Sequence, residues 1–180
     1  MNENHSGEDV SHRPHTKRKD KTLLERVLFI LSIGLGVGAV PIAPGTVGSL
    51  LGPILVWGLQ SISESPLFMI GVGVVMILIG LPICAAGIRH YGFKDPKHVV
   101  FDEIAAFPFV FAFVPLNWKT AVLGFVMFRA FDIVKPWPIG VFERLPGEWG
   151  VMLDDIVAGI FAGILLTLCW NASGPLAFLH

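Results

Sequence analysis

Two pairs of adjacent carboxylates, Asp102–Glu103 and Asp154–Asp155, each directly precede a run of apolar residues. One acidic side chain at a helix start complements the helix dipole by about 0.3–1 kcal/mol, and taken singly each residue has this ordinary explanation. A second carboxylate beside it adds repulsion, and an unpaired charge near hydrocarbon costs about 2.5–3.5 kcal/mol. Mg²⁺ would offset that cost, because it takes carboxylate, water and phosphate oxygens as ligands. The four residues are therefore predicted to bind a metal ion.

Basic and hydroxyl side chains in neighbouring motifs favour a phosphate as a second ligand. Arg129 and Asp132 are three residues apart, which places them on one face of a helix, and Lys135 follows shortly after. Such basic groups bind phosphate oxygens, although they would equally pair with the carboxylates or anchor the chain on the cytoplasmic side. Thr46, after Gly45, is expected to be the N-cap of a helix. The free N–H groups at the start of that helix would bind an anion; the alternative is a plain turn and cap.

The elements that must position these groups are strongly apolar. Of 180 residues, 53% are hydrophobic and 15% are charged, against about 25% charged in soluble domains. No charged residue occurs at 27–63, 65–88 or 156–180. Pro66–Ile88 is long enough to cross the hydrocarbon core as a helix, and Ile156–Trp170 is a little short. The sequence predicts an all-α, polytopic membrane bundle of about five to six helices; the alternative is a soluble protein with an unusually apolar core.

We expect one membrane-embedded domain at 23–172, between a polar, disordered tail at 1–22 and a short tail at 173–180. An interfacial or re-entrant first segment and five helices are expected at 23–40, 47–61, 67–90, 99–114, 120–131 and 154–170. With the N-terminus in the cytoplasm, this layout leaves every Lys and Arg except Lys119 on the cytoplasmic side. A shallow hairpin is an alternative to two spans at 99–131. The layout places all the acidic and basic motifs on one face of the membrane.

Other patterns narrow the chemistry. The sequence lacks zinc-type Cys/His spacing, a G-x-S-x-G elbow and a G-x-x-x-x-G-K-[ST] loop. Cys84 and Cys169 lie within apolar runs and indicate no disulfide framework. Small residues in the last helix predict close helix packing, at Ala158, Gly159, Ala162 and Gly163. Two other functions stay open from these residues: a cation-binding membrane protein or transporter that uses the acidic pairs, and an assembly subunit without activity.

Four stretches, taken together and in this order, match a known family. They are GVGAVPIAPGTVGSL (Gly36–Leu50), DPKHVVFDE (Asp95–Glu103), FRAFDIVKPWPI (Phe128–Ile139) and GVMLDDIVAG (Gly150–Gly159). The chain resembles bacterial phosphatidylglycerophosphatase A over nearly everything except its two termini. It departs from the family at Ala106, where Gly is usual, and at Gly147–Glu148, where Gly-Gly is common.

The resemblance implies an enzyme that removes the terminal phosphate of phosphatidylglycerophosphate in a Mg²⁺-dependent reaction. It implies the bacterial cytoplasmic (inner) membrane, an active face toward the cytoplasm, an all-α fold around a central helix, and a phospholipid partner and no nucleic acid. The family's acidic and basic positions fall on Asp95, Asp102, Glu103, Asp132, Asp154, Asp155, Arg129 and Lys135. Asp132 would be a further ligand or a general base, Asp95 a further candidate, and Thr46 part of an amide cradle. Whether water or a carboxylate attacks phosphorus stays open, and so does the oligomeric state.

Overall fold

The computed structural model describes residues 22–93 and 96–173, which are built from helices joined by turns. Within these stretches eight α-helices follow one another: α1 (Leu23–Ser32), α2 (Pro44–Ser49), α3 (Leu51–Gln60), α4 (Pro66–Tyr91), α5 (Phe101–Val110), α6 (Trp118–Val134), α7 (Ile139–Phe142) and α8 (Glu148–Ser173). A short 3-10 helix, Gly34–Ala39, separates α1 from α2. The all-α prediction is confirmed. Asp95 and the two predicted tails, apart from their innermost residues, lie outside the described residues.

Glycine and proline divide two apolar runs that the sequence predicted as single segments. The segment expected at 23–40 ends as an α-helix at Ser32, and the following 3-10 helix contains Gly36 with a φ of 104°. Ordinary side chains avoid that backbone conformation. The helix expected at 47–61 is divided into α2 and α3, because Pro53 lacks the N–H that would bond back to the preceding turn. The division into α2 and α3, together with the short helix α7, raises the number of α-helices above the predicted five to six.

In the described part of the chain, α4 and α8 are the two helices that are long and apolar enough to cross a membrane. Each has 26 residues, or about 39 Å at 1.5 Å per residue, and the hydrocarbon core is about 30 Å thick. The apolar part of α8 is more than half buried inside the protein, as the core helix of a soluble protein would be, whereas α4 is mostly exposed. Length and composition therefore point to the membrane mainly through α4. The ten-residue helices α3 and α5 reach only about 15 Å.

Large apolar side chains are also exposed along several other helices. Examples from α3, α6 and α8 are Ile54, Trp57, Val122, Val126, Ile164 and Leu168. Extended exposed apolar surface of this kind marks contact with a membrane or another protein. Together with the exposed surface of α4, it indicates a membrane protein.

α5 is the central helix of the bundle. It packs against α3, α4 and α8, and α6 packs against α8. Ala105, Ala106 and Phe107 on α5 are fully buried. The ring of Phe107 meets the ring of Phe128 on α6 edge-on, with 5.0 Å between ring centroids. This arrangement agrees with the expectation of a central helix, and it places the first turn of α5 inside the protein.

Small residues bring α8 into backbone contact with α5, as the sequence pattern predicted. A Cβ on Gly159 would lie 2.9 Å from the carbonyl oxygen of Ala106, and one on Gly163 would lie 2.5 Å from that of Phe109. Both distances are shorter than ordinary Cβ contacts, so neither position has room for a side chain. This α5–α8 contact holds Asp102 on one helix alongside Asp155 on the other.

Gly159→Ala is expected to lower the free energy of unfolding by about 1–3 kcal/mol, because its methyl group must displace a backbone carbonyl of α5. Gly71→Ala on α4 is the matched control, since a Cβ at Gly71 meets no atom within 4 Å. That variant should be as stable as the parent or more so, because alanine favours helix over glycine. Thermal unfolding in one detergent compares them, and equal losses of stability would contradict the close contact.

Candidate active site

A pocket of about 520 Å³ lies where α5 and α8 begin and α6 ends. Its charged residues come from three separate parts of the sequence: Lys97, Asp102, Glu103, Arg129, Asp132, Lys135, Asp154 and Asp155. Thr46 and its neighbours in α2 complete the wall. The structure thus brings together every predicted site residue except Asp95, which lies outside the described residues.

The two acidic pairs share one local geometry. In each pair the backbone N–H of the second residue donates to the carboxylate of the first, from Glu103 to Asp102 at 3.0 Å and from Asp155 to Asp154 at 3.1 Å. Three of the four residues are buried and only 4–5% exposed: Asp102, Asp154 and Asp155. Asp102 lies in the first turn of α5, where a carboxylate complements the helix dipole.

The prediction that the last helix begins near Asp154 is wrong. α8 begins at Glu148. The residue before it, Gly147, has a φ of 58°, a left-handed conformation that glycine adopts readily. The helix dipole acts mainly within the first turn, and Asp154 and Asp155 are the seventh and eighth residues of α8. A capping role therefore does not explain why these two carboxylates are buried.

Lys135 partly compensates the charge of Asp154. Its Nζ lies 2.6 Å from Oδ2 of Asp154 and 3.2 Å from Oε1 of Glu143. Burial alone would lower the pKa of Lys135, but the hydrogen bonds and charges of Asp154 and Glu143 raise it above its ordinary value. The ammonium group is therefore charged at neutral pH and is already held at the pocket.

Arg129 is the centre of a second group of polar side chains. Its Nη1 lies 2.7 Å from Oδ2 of Asp132, 3.0 Å from Oε1 of Glu103 and 3.2 Å from Oγ of Ser49. Its Nε is buried and has no hydrogen-bond partner among the described residues. A buried donor that stays unpaired costs about 1–3 kcal/mol. Arg129 therefore lines the pocket and also holds one buried N–H that the described residues do not satisfy.

Glu103 uses both of its carboxylate oxygens on neighbouring side chains. Oε1 accepts from Arg129, and Oε2 accepts from the hydroxyl of Ser49. Burial raises the pKa of Glu103 to about 7, although Arg129 and Ser49 lower it. Gly45 makes room for this carboxylate, since a Cβ there would lie 2.5 Å from Oε1. The role of Glu103 as a metal ligand stays a prediction.

Thr46 lines the pocket but does not cap α2, so that part of the prediction is wrong. The N-cap is Ala43, with a left-handed φ of 47° and no side-chain cap hydrogen bond, and Pro44 is the first helical residue. Proline suits that position because its missing N–H would have no partner within the helix. Thr46 instead lies in the first turn of α2, where the helix supplies no acceptor for backbone N–H groups.

The carboxylates of the pocket have the chemistry of a magnesium site, but they are not drawn together as one. In the part of the chain that the structure describes, no group of three or more His, Cys, Asp or Glu side chains is arranged to hold a metal ion. The pocket nevertheless has five carboxylates against three basic side chains, an excess of two formal negative charges. A divalent cation with oxygen ligands would neutralise that excess. The donor set therefore fits Mg²⁺, which stays a prediction.

Sequence comparison assigns the chain to a family. A sequence model described as Phosphatidylglycerophosphatase A matches residues 30–170. The chain belongs to the phosphatidylglycerophosphatase A family. It is 37% identical over 150 residues to Phosphatidylglycerophosphatase A of Escherichia coli (strain K12). The aligned region covers 82% of this chain and 86% of that protein. The protein of the same name from Haemophilus influenzae is 36% identical over 148 residues, covering 81% and 90%. No solved structure matches significantly.

The two departures from the phosphatidylglycerophosphatase A pattern lie outside the pocket lining. Ala106 belongs to the α5–α8 contact, where its carbonyl and methyl groups meet Gly159. Glu148 is the first residue of α8, so its carboxylate complements the helix dipole. Neither departure changes the set of side chains that line the phosphatidylglycerophosphatase A pocket.

Two residues of this phosphatidylglycerophosphatase A pocket region were not predicted from the sequence. Ser49 is fully buried, and its hydroxyl contacts Glu103, Arg129 and the carbonyl of Gly45. A single serine in an apolar helix predicts only a hydrogen bond to a carbonyl group of its own helix. The bond from Ser49 to Gly45 is of this kind. Lys97 is exposed and lines the pocket. The only feature of the sequence that could have indicated this is its position between two predicted acidic site residues.

Proposed function

We propose that this membrane protein hydrolyses the terminal phosphate monoester of phosphatidylglycerophosphate, giving phosphatidylglycerol and inorganic phosphate. The observation that carries the proposal is that Arg129 and Lys135 line one pocket together with five carboxylates. Phosphate oxygens would accept hydrogen bonds from these two basic side chains. The names of the Escherichia coli and Haemophilus influenzae relatives support phosphatidylglycerophosphate as the substrate.

Mg²⁺ is the proposed cofactor, with Asp102, Glu103, Asp154 and Asp155 as its candidate ligands and Asp95 as a further one. When bound, a divalent cation would polarise the phosphoryl group and neutralise part of its charge. The excess of negative charge in the pocket supports this assignment, since a phosphate monoester would otherwise be repelled.

The protein's own residues would bind the phosphate and accept a proton from the attacking water. Arg129 and Lys135 would hold its non-bridging oxygens, with Thr46 also in the pocket wall. Hydrolysis breaks the bond between phosphorus and the glycerol oxygen, which then takes up a proton. The new oxygen on phosphorus comes from water, directly or after attack by a carboxylate. Asp132 is the candidate general base for that water, because it lines the pocket and is held 2.7 Å from Arg129.

The proposed location is the bacterial cytoplasmic (inner) membrane, with several spans and the pocket facing the cytoplasm. The distribution of Lys and Arg along the sequence supports this orientation. The acyl chains of the substrate would stay in lipid beside the exposed apolar side chains of α4 and α6, while the head group reaches the pocket. A lipid substrate would thus not need to leave the bilayer.

A cation transporter would require carboxylates near the middle of the membrane and usually an internal repeat. Asp102 is the second residue of α5, and Asp154 lies in the second turn of a 26-residue helix. The pocket is therefore at one end of the bundle, which favours a hydrolase acting on a head group.

Release of inorganic phosphate from phosphatidylglycerophosphate in mixed micelles tests the proposal. We expect release by the full chain with Mg²⁺, loss of release with a chelator, and recovery when Mg²⁺ is added in excess. A soluble phosphate monoester such as glycerol 3-phosphate serves as the control substrate, and it should be hydrolysed much more slowly. If the folded protein releases no phosphate from the lipid with Mg²⁺ present, the proposed function is wrong.

A further inference from the structure

We propose that Ser49 and Glu103 are positioning residues that fix the guanidinium of Arg129 in the pocket, in the orientation that binds the substrate phosphate. This inference rests on the proposed function and gives Glu103 a positioning role in addition to its candidate role as a metal ligand. It follows from three features of the described residues: the contacts of Glu103, the burial of Ser49, and the contacts of Nη1 of Arg129.

The first feature is that Glu103 is fully engaged on the side of α2 and α6. One of its oxygens accepts from Arg129 at 3.0 Å and the other accepts from Ser49. A carboxylate that is held at both oxygens by protein donors keeps fewer acceptor positions for a metal ion. Asp102, the preceding residue, accepts at its Oδ1 from the backbone N–H of Glu103. The contacts of Glu103 therefore orient the guanidinium of Arg129.

The second feature is that Ser49 joins three motifs at a fully buried position. Its hydroxyl lies 2.7 Å from the carbonyl oxygen of Gly45 in α2 and contacts Glu103 in α5. The same oxygen lies 3.2 Å from Nη1 of Arg129 in α6. Because the side chain is short and buried, it holds these three groups in one geometry. The single hydroxyl hydrogen can go to only one of the two acceptors at a time, Gly45 or Glu103. The contact with Glu103 therefore goes beyond the bond to Gly45 that a serine with a local structural role would make.

The third feature is the set of contacts that Nη1 of Arg129 makes. Nη1 meets Glu103, Asp132 and Ser49, while Arg129 also lines the pocket. The absence of a Cβ on Gly45 lets the Glu103 carboxylate that holds this guanidinium approach α2, because a Cβ there would lie 2.5 Å from Oε1. Arginine loses much rotamer freedom when it binds a phosphate. Fixing Nη1 in advance would remove that loss from the binding step.

A double-mutant cycle with Ser49→Ala and Arg129→Lys tests this inference. Ser49→Ala should lower kcat/KM about tenfold, the factor for one hydrogen bond to a charged group, mainly through a higher KM. In the Arg129→Lys background the same change should cost less than about twofold, because residues that act through one another are not additive. The Mg²⁺ concentration that gives half-maximal activity should stay unchanged in Ser49→Ala.

A second measurement follows binding without catalysis. Calorimetric titration with inorganic phosphate, in the same detergent, should show the same coupling between Ser49 and Arg129. Ser61→Ala is the matched control, since the exposed Ser61 hydroxyl also donates to a helix carbonyl, that of Gly58 at 2.7 Å. This control variant should bind phosphate as the parent does.

The outcomes separate the inference from the proposed function. Equal losses from Ser49→Ala in both backgrounds, or a changed Mg²⁺ requirement with an unchanged KM, would overturn the positioning role while leaving the enzyme intact. A parent that hydrolyses no phosphatidylglycerophosphate but shows coupled phosphate binding would overturn the proposed substrate and support the positioning role. A parent that neither hydrolyses the lipid nor binds phosphate would overturn both.

Discussion

Asp155→Asn is expected to lower phosphate release from phosphatidylglycerophosphate by more than about 100-fold, while the variant stays at least as stable as the parent. Replacing a residue that merely supports a metal ligand costs about 10–100-fold, and a ligand should cost more. Asp155 is buried and is repelled by the charges of Asp102, Asp132 and Asp154. Asparagine keeps the shape of the side chain and removes one of these charges, so the repulsion in the empty pocket should fall.

Thermal unfolding separates this loss of catalysis from a loss of folding. Mg²⁺ should raise the Tm of the parent, because a ligand that binds only the folded state stabilises it. That rise should be smaller in Asp155→Asn, whose Tm without Mg²⁺ should equal or exceed the parental value. Glu64→Gln is the control, since Glu64 is exposed and does not line the pocket. Parental activity in Asp155→Asn would remove Asp155 from the proposed metal site.

Arg129→Lys is expected to lower kcat/KM by about 100- to 1,000-fold, the range seen when one donor to a transition-state oxyanion is lost. Lysine keeps the positive charge, but its ammonium group lacks the planar fork of donors in the guanidinium. It would not bond Glu103 and Asp132 while also presenting further donors to the phosphate. The loss should therefore appear even though the charge of the pocket is unchanged.

Arg144→Lys gives the matched control for that substitution. Arg144 is exposed and does not line the pocket, so its replacement should leave kcat, KM and Tm at parental values. A folded Arg129→Lys variant with the kinetics of the parent would show that the charge alone suffices. It would also remove the geometric argument for phosphate binding by the guanidinium.

The elements were predictable where a long run of apolar residues determines them without help from the rest of the chain. The helix expected at 67–90 is Pro66–Tyr91, because proline and glycine bound an uninterrupted run. The start of α8 was placed six residues too late, at Asp154 instead of Glu148. The sequence of its first turn is typical of a loop, because it follows a proline and a glycine and contains another glycine.

The membership of the pocket was predictable, but the pairing of its side chains was not. Acidic and basic residues at helix ends, in motifs known from one family, predicted which groups meet. The sequence does not show that Glu103 bonds Ser49, since these residues are 54 positions apart and meet only through the packing of α2 on α5. The same packing decides that Arg129 pairs with both Glu103 and Asp132. The roles of these side chains in catalysis stay predictions.

The contact of Gly159 and Gly163 with the backbone of α5 also sets the register between the two acidic helices. Sliding α8 by one residue would move Asp155 by about 1.5 Å relative to Asp102, and a misplacement of about 1 Å at a reacting group can cost 100-fold in rate. Such a slide would also bring a bulkier side chain against a carbonyl group of α5. The precision of the pocket geometry is therefore set by two glycines outside the pocket lining, about one and about two helical turns beyond Asp155.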